Sequence, residues 1–189
     1  MFARTPRLLL RPGWSEDAPA LYAAIADEAI VRNLAQAPWP YSRADAEAFL
    51  ARERDPHDAA CLIYLRTPGA PRLIGGIGFG PAAGGGKELG YWIARPFWGR
   101  GFATEAGQAV IANARDTLRL KRLAAGHFVD NPASGRVLAR LGFRPTGQVV
   151  RRHSAGRGAE APCRLFELAL GGEATVEADA REEACAMAA

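Results

Sequence analysis

Lysine is nearly missing from this chain. Lys87 and Lys121 are the only two, so every other one of its 24 basic side chains is an arginine. Cysteine is scarce too. Cys61, Cys163 and Cys185 stand far apart, are odd in number and form no C-x-x-C pair. That speaks against a disulfide framework and against a zinc site, and leaves buried free thiols as the reading. Long apolar runs are absent. None approaches the roughly 20 residues of a membrane-spanning helix, so no membrane partner is expected. The opening Met1-Phe2-Ala3-Arg4-Thr5-Pro6-Arg7-Leu8-Leu9-Leu10-Arg11 has only three leucines between arginines, far short of a signal-peptide core. A cytoplasmic protein is the expectation.

What is present suits one ordinary folded domain. The chain has 189 residues, 49% hydrophobic and 23% charged. At this length folding can bury about 70% of the unfolded surface, enough for a core without disulfides or metals. Such a composition disfavours a disordered chain. The net charge of +4 is unevenly spread. Residues 171–189 hold five acids and one base, an acidic Ala/Glu-rich tail of charge −4, so residues 1–170 carry +8. The chain thus divides into a body, 1–170, and a tail, 171–189, for which fraying or a marginal helix is expected. A basic body suggests an anionic partner, either a phosphate-bearing small molecule or nucleic acid. Composition does not choose between them.

Apolar patterning gives the order of elements. Residues 7–12 read as a strand ended by Pro12-Gly13. Ser15-Glu16-Asp17 resembles a helix start, followed by Leu21, Ala24 and Ile25 at helical spacing. Residues 35–41 form a loop around Trp39-Pro40-Tyr41. Ser42-Arg43-Ala44-Asp45 is a capping box opening a helix to about residue 54, with Ala46, Phe49 and Leu50 inward. Three strands follow at 60–66, 72–79 and 88–93, the second unusually rich in glycine, as an antiparallel meander. A helix over 104–118, a strand over 123–129, a short helix over 133–141 stopped by Gly142, and strands at 143–151 and 164–170 complete the body. The expectation is an α/β (α+β) domain: a mixed, mostly antiparallel sheet of about seven strands with flanking helices.

Chemistry concentrates after the 88–93 strand, in Trp98-Gly99-Arg100-Gly101-Phe102-Ala103-Thr104. Two glycines let backbone approach a ligand, and the following helix points free N–H groups at it. Such a turn suits phosphate, with Arg95 and Arg100 able to add charged contacts. A tight turn that merely needs glycine is the alternative. Two familiar phosphate motifs fail here. A G-x-G-x-x-G fingerprint would need glycine where Thr104 stands, and Lys87 is followed by Glu88 rather than by Ser or Thr. A second segment, Asp130-Asn131-Pro132-Ala133-Ser134, joins a strand to a helix. Asn131 there is able to hold an extended ligand or simply to cap the helix. Leu141-Gly142-Phe143 is a helix stop.

Taken in order and spacing, these pieces resemble the GNAT superfamily of acyl-CoA-dependent N-acetyltransferases, over the whole body from Leu8 to Leu170. The resemblance is nearest to the RimJ/RimL-like subgroup, which acetylates N-terminal amines of ribosomal proteins. It rests on Gly90-Tyr91-Trp92-Ile93, on the 98–106 segment, on Asn131-Pro132-Ala133-Ser134 with Arg136-Val137-Leu138, and on Leu141-Gly142-Phe143. The family signature Q/R-x-x-G-x-G/A reads here Trp98-x-x-Gly101-x-Ala103, so the first position departs.

The resemblance implies a sheet splayed between the 88–93 and 123–129 strands, fourth and fifth in sequence. Acetyl-CoA would insert there as co-substrate, and no metal is implied. Cofactor contacts fall to Trp92, Ile93, Trp98, Gly99, Arg100, Gly101, Phe102, Ala103, Thr104 and Asn131. Many members place a tyrosine near the sulfur, but the aligned residue is Leu138, and Ser134 is the implied substitute. Glu88 and His127 are the candidate bases. Glu88 could instead pair with an arginine, and His127 could simply be packed. The acceptor side is expected at Trp39, Tyr41, the helix after Ser42 and the 154–160 turn.

The implied activity is acetyl transfer from acetyl-CoA to a primary amine, a protein N-terminus or a small molecule, by direct attack in a ternary complex. A catalytically weak or inactive acyl-CoA-binding module is the second reading, motivated by Leu138. Direct nucleic-acid binding is not expected, because the basic residues form no aromatic-interleaved stripe. Dimerisation is common in the subgroup, so a homodimer is compatible with the resemblance.

Overall fold

The computed structural model describes residues 1–53 and 55–171. Arg54, Cys185 and the acidic tail beyond Gly171 lie outside these described residues. Eight strands form one sheet: β1 (Ala3–Arg4), β2 (Leu8–Arg11), β3 (Ala59–Leu65), β4 (Arg72–Pro81), β5 (Lys87–Ile93), β6 (Arg122–Phe128), β7 (Arg144–Ser154) and β8 (Ala159–Ala169). Their spatial order is β1-β2-β3-β4-β5-β6-β8-β7. Every neighbouring pair is antiparallel except β5 and β6. Of the strands, the sequence reading missed only the two-residue β1, too short to show a period.

Five helices flank the sheet: α1 (Ala18–Ile25), α2 (Glu28–Val31), α3 (Arg43–Ala51), α4 (Phe102–Ala112) and α5 (Pro132–Arg140). Strand β3 is apolar on both sides and therefore carries two cores. Cys61 and Ile63 join Leu8, Leu10, Ala106 and Val110 beneath α4. Leu62 and Tyr64 join Leu21, Ile25, Val31 and Ala46 beneath α1, α2 and α3. This is the near-continuous hydrophobic run of a strand buried on both faces.

Local chemistry explains the helix ends. Ser42 caps α3 as expected: its hydroxyl accepts from the Asp45 amide at 3.2 Å, and the Asp45 carboxylate accepts from the Ser42 amide at 2.8 Å. The expected start at Ser15 is corrected. Ser15–Asp17 is a single 3-10 turn, and α1 begins only at Ala18. Asp17 is drawn into a buried polar knot instead. Its carboxylate accepts from both Arg11 Nη1 and Nη2 at 2.7 Å, from Tyr64 Oη at 2.6 Å and from the Trp14 amide at 2.8 Å. The glycines of β4 serve close approach. A Cβ at Gly78 would sit 1.9 Å from the Ala59 carbonyl oxygen, and one at Gly76 would sit 2.6 Å from Trp92 Nε1.

Candidate active site

Strands β5 and β6 are in register only at Glu88↔Ala124 and Leu89↔Ala125. Beyond Leu89 they diverge, and the open edge of β5 needs other hydrogen-bond partners. A cavity of about 370 Å³ fills the gap, lined by β5, β6, the first turn of α4, the length of α5, and the turn between β5 and α4.

That turn is built for backbone exposure. Gly101 precedes α4 in a left-handed conformation, φ 78°, which a residue with a Cβ adopts only under strain. Trp98 anchors the turn by donating its indole N–H to the Ile93 carbonyl at 2.6 Å. From the other side the β1–β2 turn clamps it. Arg7 donates through Nε to Glu105 at 2.6 Å and through Nη1 to the Arg100 carbonyl at 3.0 Å, and Thr5 donates to Glu105 at 2.6 Å. Burial alone would raise the Glu105 carboxyl, but the hydrogen bonds from Thr5 and from the amide and guanidinium of Arg7 outweigh it and hold the group lower than usual.

Two features of this cavity fit a phosphate-bearing cofactor. Thr104 Oγ1, in the first turn of α4, is buried and has no hydrogen-bond partner among the described residues. Arg136 and Arg140 stand one turn apart on α5, line the cavity and make no ion pair among the described residues. A polyanion is what such cations and a helix N-terminus attract.

At the start of α5, Asn131 caps the helix, its Oδ1 accepting from the Ser134 amide at 3.3 Å. Ser134 is met from β5 by Tyr91, whose hydroxyl lies 2.7 Å from Ser134 Oγ and 3.0 Å from the Ser134 carbonyl. Burial pushes the Tyr91 phenol up to about 12, against a smaller downward pull from Ser134. Leu138 is fully covered beneath α5. His127, on β6, is buried with Nδ1 2.8 Å from the Phe128 carbonyl and its ring tilted against Phe166 at 5.4 Å.

Beside this cavity lies a second one of about 900 Å³, framed by α3, the 34–38 segment and strands β3, β4 and β5. Its walls mix Tyr41, Phe49 and Trp92 with Asp45, Asp58 and Arg52. Burial, with Asp45 nearby, pushes the Tyr41 hydroxyl up to about 12. Glu88 and Arg152 line both cavities. Arg152 Nη2 donates to Glu88 Oε2 at 3.2 Å, and Nη1 bonds Oε1. Burial pushes the neighbouring Cys163 thiol up, against the charge of Arg152.

Residues 7–144 match the family model described as "Acetyltransferase (GNAT) domain". The chain belongs to the GNAT acetyltransferases. It is 31% identical over 156 residues to the N-acetyltransferase YoaA of Bacillus subtilis strain 168, itself uncharacterised, a match covering 79% of this chain and 85% of the relative. Among solved structures it is similar in fold to RimL, a ribosomal L7/L12 alpha-N-protein acetyltransferase in complex with coenzyme A, with TM-score 0.73, 18% identity and coverage of 90% and 98% of the two chains. The microcin C7 self-immunity acetyltransferase MccE, in complex with acetyl-CoA and AMP, gives TM-score 0.72 at 20% identity, covering 87% and 93%. Among the described residues no helix of this GNAT chain is long and apolar enough to cross a membrane.

The first cavity of the GNAT chain brings together Ser134, Glu88, His127, Trp92, Ile93, Trp98, Gly99, Gly101, Phe102, Ala103, Thr104 and Asn131. Arg100 is not among its lining residues. Its carbonyl is taken by Arg7, and its guanidinium lies 5.7 Å from the Phe97 ring. Tyr41 lines the second cavity, whereas Trp39 is 41% exposed and lines neither. The 154–160 turn is not a cavity wall. It ties down the 32–35 segment that is one: Ser154 Oγ donates to the Leu34 carbonyl at 2.8 Å, and Arg157 Nε to the Arg32 carbonyl at 2.6 Å. Sequence reasoning missed Tyr91, Arg152, Arg136 and Arg140. The i,i+4 spacing of the last two on a helix that carries other site residues was the available signal.

Proposed function

We propose that this acetyltransferase transfers the acetyl group of acetyl-CoA to a primary amine by direct attack, across the wall between the two cavities. The observation that carries the reading is the pair of cavities that meet at the splayed strand β5, sharing Glu88, Gly90, Tyr91 and Trp92. A thioester on one side and an amine on the other meet there without a covalent enzyme intermediate. Acetyl-CoA supplies the activated acyl group when bound.

The residues have separate tasks. The amides at the start of α4, with Arg136 and Arg140, hold the phosphates. Asn131 has a side-chain N–H₂ without a partner among the described residues and donates to the pantetheine arm. Ser134 donates to the sulfur as charge develops there. Glu88 reaches the acceptor cavity, so its carboxylate attracts the ammonium and receives its proton through water. His127 is buried beside α5 and lines only the first cavity, so it is a packed histidine in this reading. The acceptor binds against Tyr41, Phe49 and Trp92.

The overall step balances. The ammonium first gives up one proton, through water and Glu88 to solvent. A nitrogen–carbon bond then forms, the carbon–sulfur bond breaks with its electron pair on sulfur, and the second proton lost by nitrogen is matched by one gained from solvent at the thiolate. Thiol release and acetylated product, measured together across a panel of peptide N-termini and small amines, test the reading. Equal amounts of both products support it. Tight acetyl-CoA binding with no acetylated product from any amine would favour the binding-module reading instead.

A further inference from the structure

Strand β5 alternates its side chains, so Tyr91 shares the face of Leu89 and Ile93 and reaches α5. Its hydroxyl meets Ser134 twice, at Oγ (2.7 Å) and at the main-chain carbonyl (3.0 Å). A phenol has one proton and cannot donate to both. If it donates to the carbonyl, its oxygen receives the serine hydroxyl. If it donates to Oγ, the serine proton is left to point into the cavity. Both arrangements hold Oγ at one position, and the second alone leaves the serine proton for the ligand.

An unheld serine in a first helical turn behaves differently. It samples three staggered rotamers and can turn its hydroxyl back onto local backbone carbonyls. Its proton is then spent away from the ligand.

We infer that Tyr91 is a positioning residue for acetyl transfer: by donating to Ser134 Oγ its hydroxyl fixes that oxygen so that the serine proton is directed at the sulfur of the leaving group. This rests on the reading of Ser134 given above. The step needs no proton from Tyr91 itself. The carbon–sulfur bond breaks, its electron pair settles on sulfur, and Ser134 stabilises that charge by a hydrogen bond while solvent supplies the proton that makes the thiol. The burial that pushes the Tyr91 phenol up to about 12 keeps it protonated, and so able to donate, throughout the ordinary working range.

The test is a double-mutant cycle on the full chain. Acetyl-CoA-dependent turnover is followed by mass detection of the acetylated amine, so that slow variants are still measured. Tyr91→Phe keeps the ring and removes only the hydroxyl. It is expected to lower kcat about tenfold, with the Kd for acetyl-CoA and the Tm near those of the parent. In a Ser134→Ala background the same change is expected to cost less than about twofold, because there is no hydroxyl left to position. Equal fold losses in the two backgrounds would overturn the proposal, as would a loss confined to the KM for acetyl-CoA. A parent enzyme that binds acetyl-CoA but acetylates no amine would overturn the transfer reading together with this one. That result is distinct from additive losses, which overturn the role of Tyr91 alone.

Discussion

Arg152 grips Glu88 through both of its terminal guanidinium nitrogens, at the wall between the two cavities. The side chains are 26% and 22% exposed, so neither charge is fully solvated. Removing one leaves the other facing a cavity without its partner.

Glu88→Gln is therefore expected to act on the acceptor and not on acetyl-CoA. The KM for the amine rises and kcat falls, together about tenfold or more in kcat/KM, while acetyl-CoA affinity stays near the parent. Steady-state kinetics with each substrate varied in turn check this. Arg152→Met strands the carboxylate and is expected to lower stability by roughly 1–3 kcal/mol. A Glu88→Gln, Arg152→Met double variant is expected to be more stable than the sum of the two single losses, as urea unfolding will report.

The clamp on the cofactor turn gives a second expectation. Glu105→Gln loosens the contacts from Arg7 and Thr5, so acetyl-CoA binds roughly three- to tenfold more weakly while saturated turnover is retained. The folded-state Glu105 carboxyl lies below its ordinary value. Its stabilisation is thus present above the ordinary carboxylate range and is lost as the pH falls through the lowered value. Calorimetric titration of acetyl-CoA into parent and variant measures the difference.

Arg136→Ala and Arg140→Ala test the charge on α5. Each is expected to weaken acetyl-CoA binding about three- to tenfold at low ionic strength, and the difference shrinks as salt is raised. Neither should alter the affinity for acetyl-pantetheine, which lacks the nucleotide phosphates. Three arginines of the body are balanced by acids and so are not part of its +8 excess. Arg7, Arg11 and Arg157 are engaged by Glu105, Asp17 and Asp130.

The knot beneath α1 sets an acid limit on stability. The Asp17 carboxyl resists burial, but the bonds from Arg11, Tyr64 and the Trp14 amide prevail and bring it from 3.8 to about 2. Its contribution is complete above about pH 4 and is lost as the pH falls towards 2. Asp17→Asn is expected to cost about 3 kcal/mol near neutral pH by stranding Arg11, with the gap to the parent closing in acid. Thermal unfolding over pH 2–7 checks both the size and the direction.

Much of this was legible in the sequence because it depends on short-range pattern. The Ser42 capping box, the apolar run of β3 and the glycines before α4 each announce themselves within a few residues. The partners of Glu88 and Ser134 did not. Arg152 lies 64 residues from Glu88, and Tyr91 lies 43 from Ser134. Only the parallel pairing of β5 with β6, and the antiparallel pairing of β6 with β8 of the β7–β8 hairpin, bring them together. The Ser15 start was misread for a related reason. Asp17 has the composition of a helix start, yet Arg11 on β2 and Tyr64 on β3 claim its carboxylate. Trp39 looked like an acceptor wall because it adjoins Tyr41, but neighbours in a loop need not face the same way.

The central claim is direct acetyl transfer between the two cavities, and single-turnover mass spectrometry tests it most directly. The enzyme is mixed with one equivalent of acetyl-CoA, first without amine and then with it, and protein, amine and thiol are weighed together. The account predicts an unmodified protein at every time point and acetylated amine appearing in step with free thiol. A protein heavier by one acetyl group before the amine is added, and restored when it is, would contradict it.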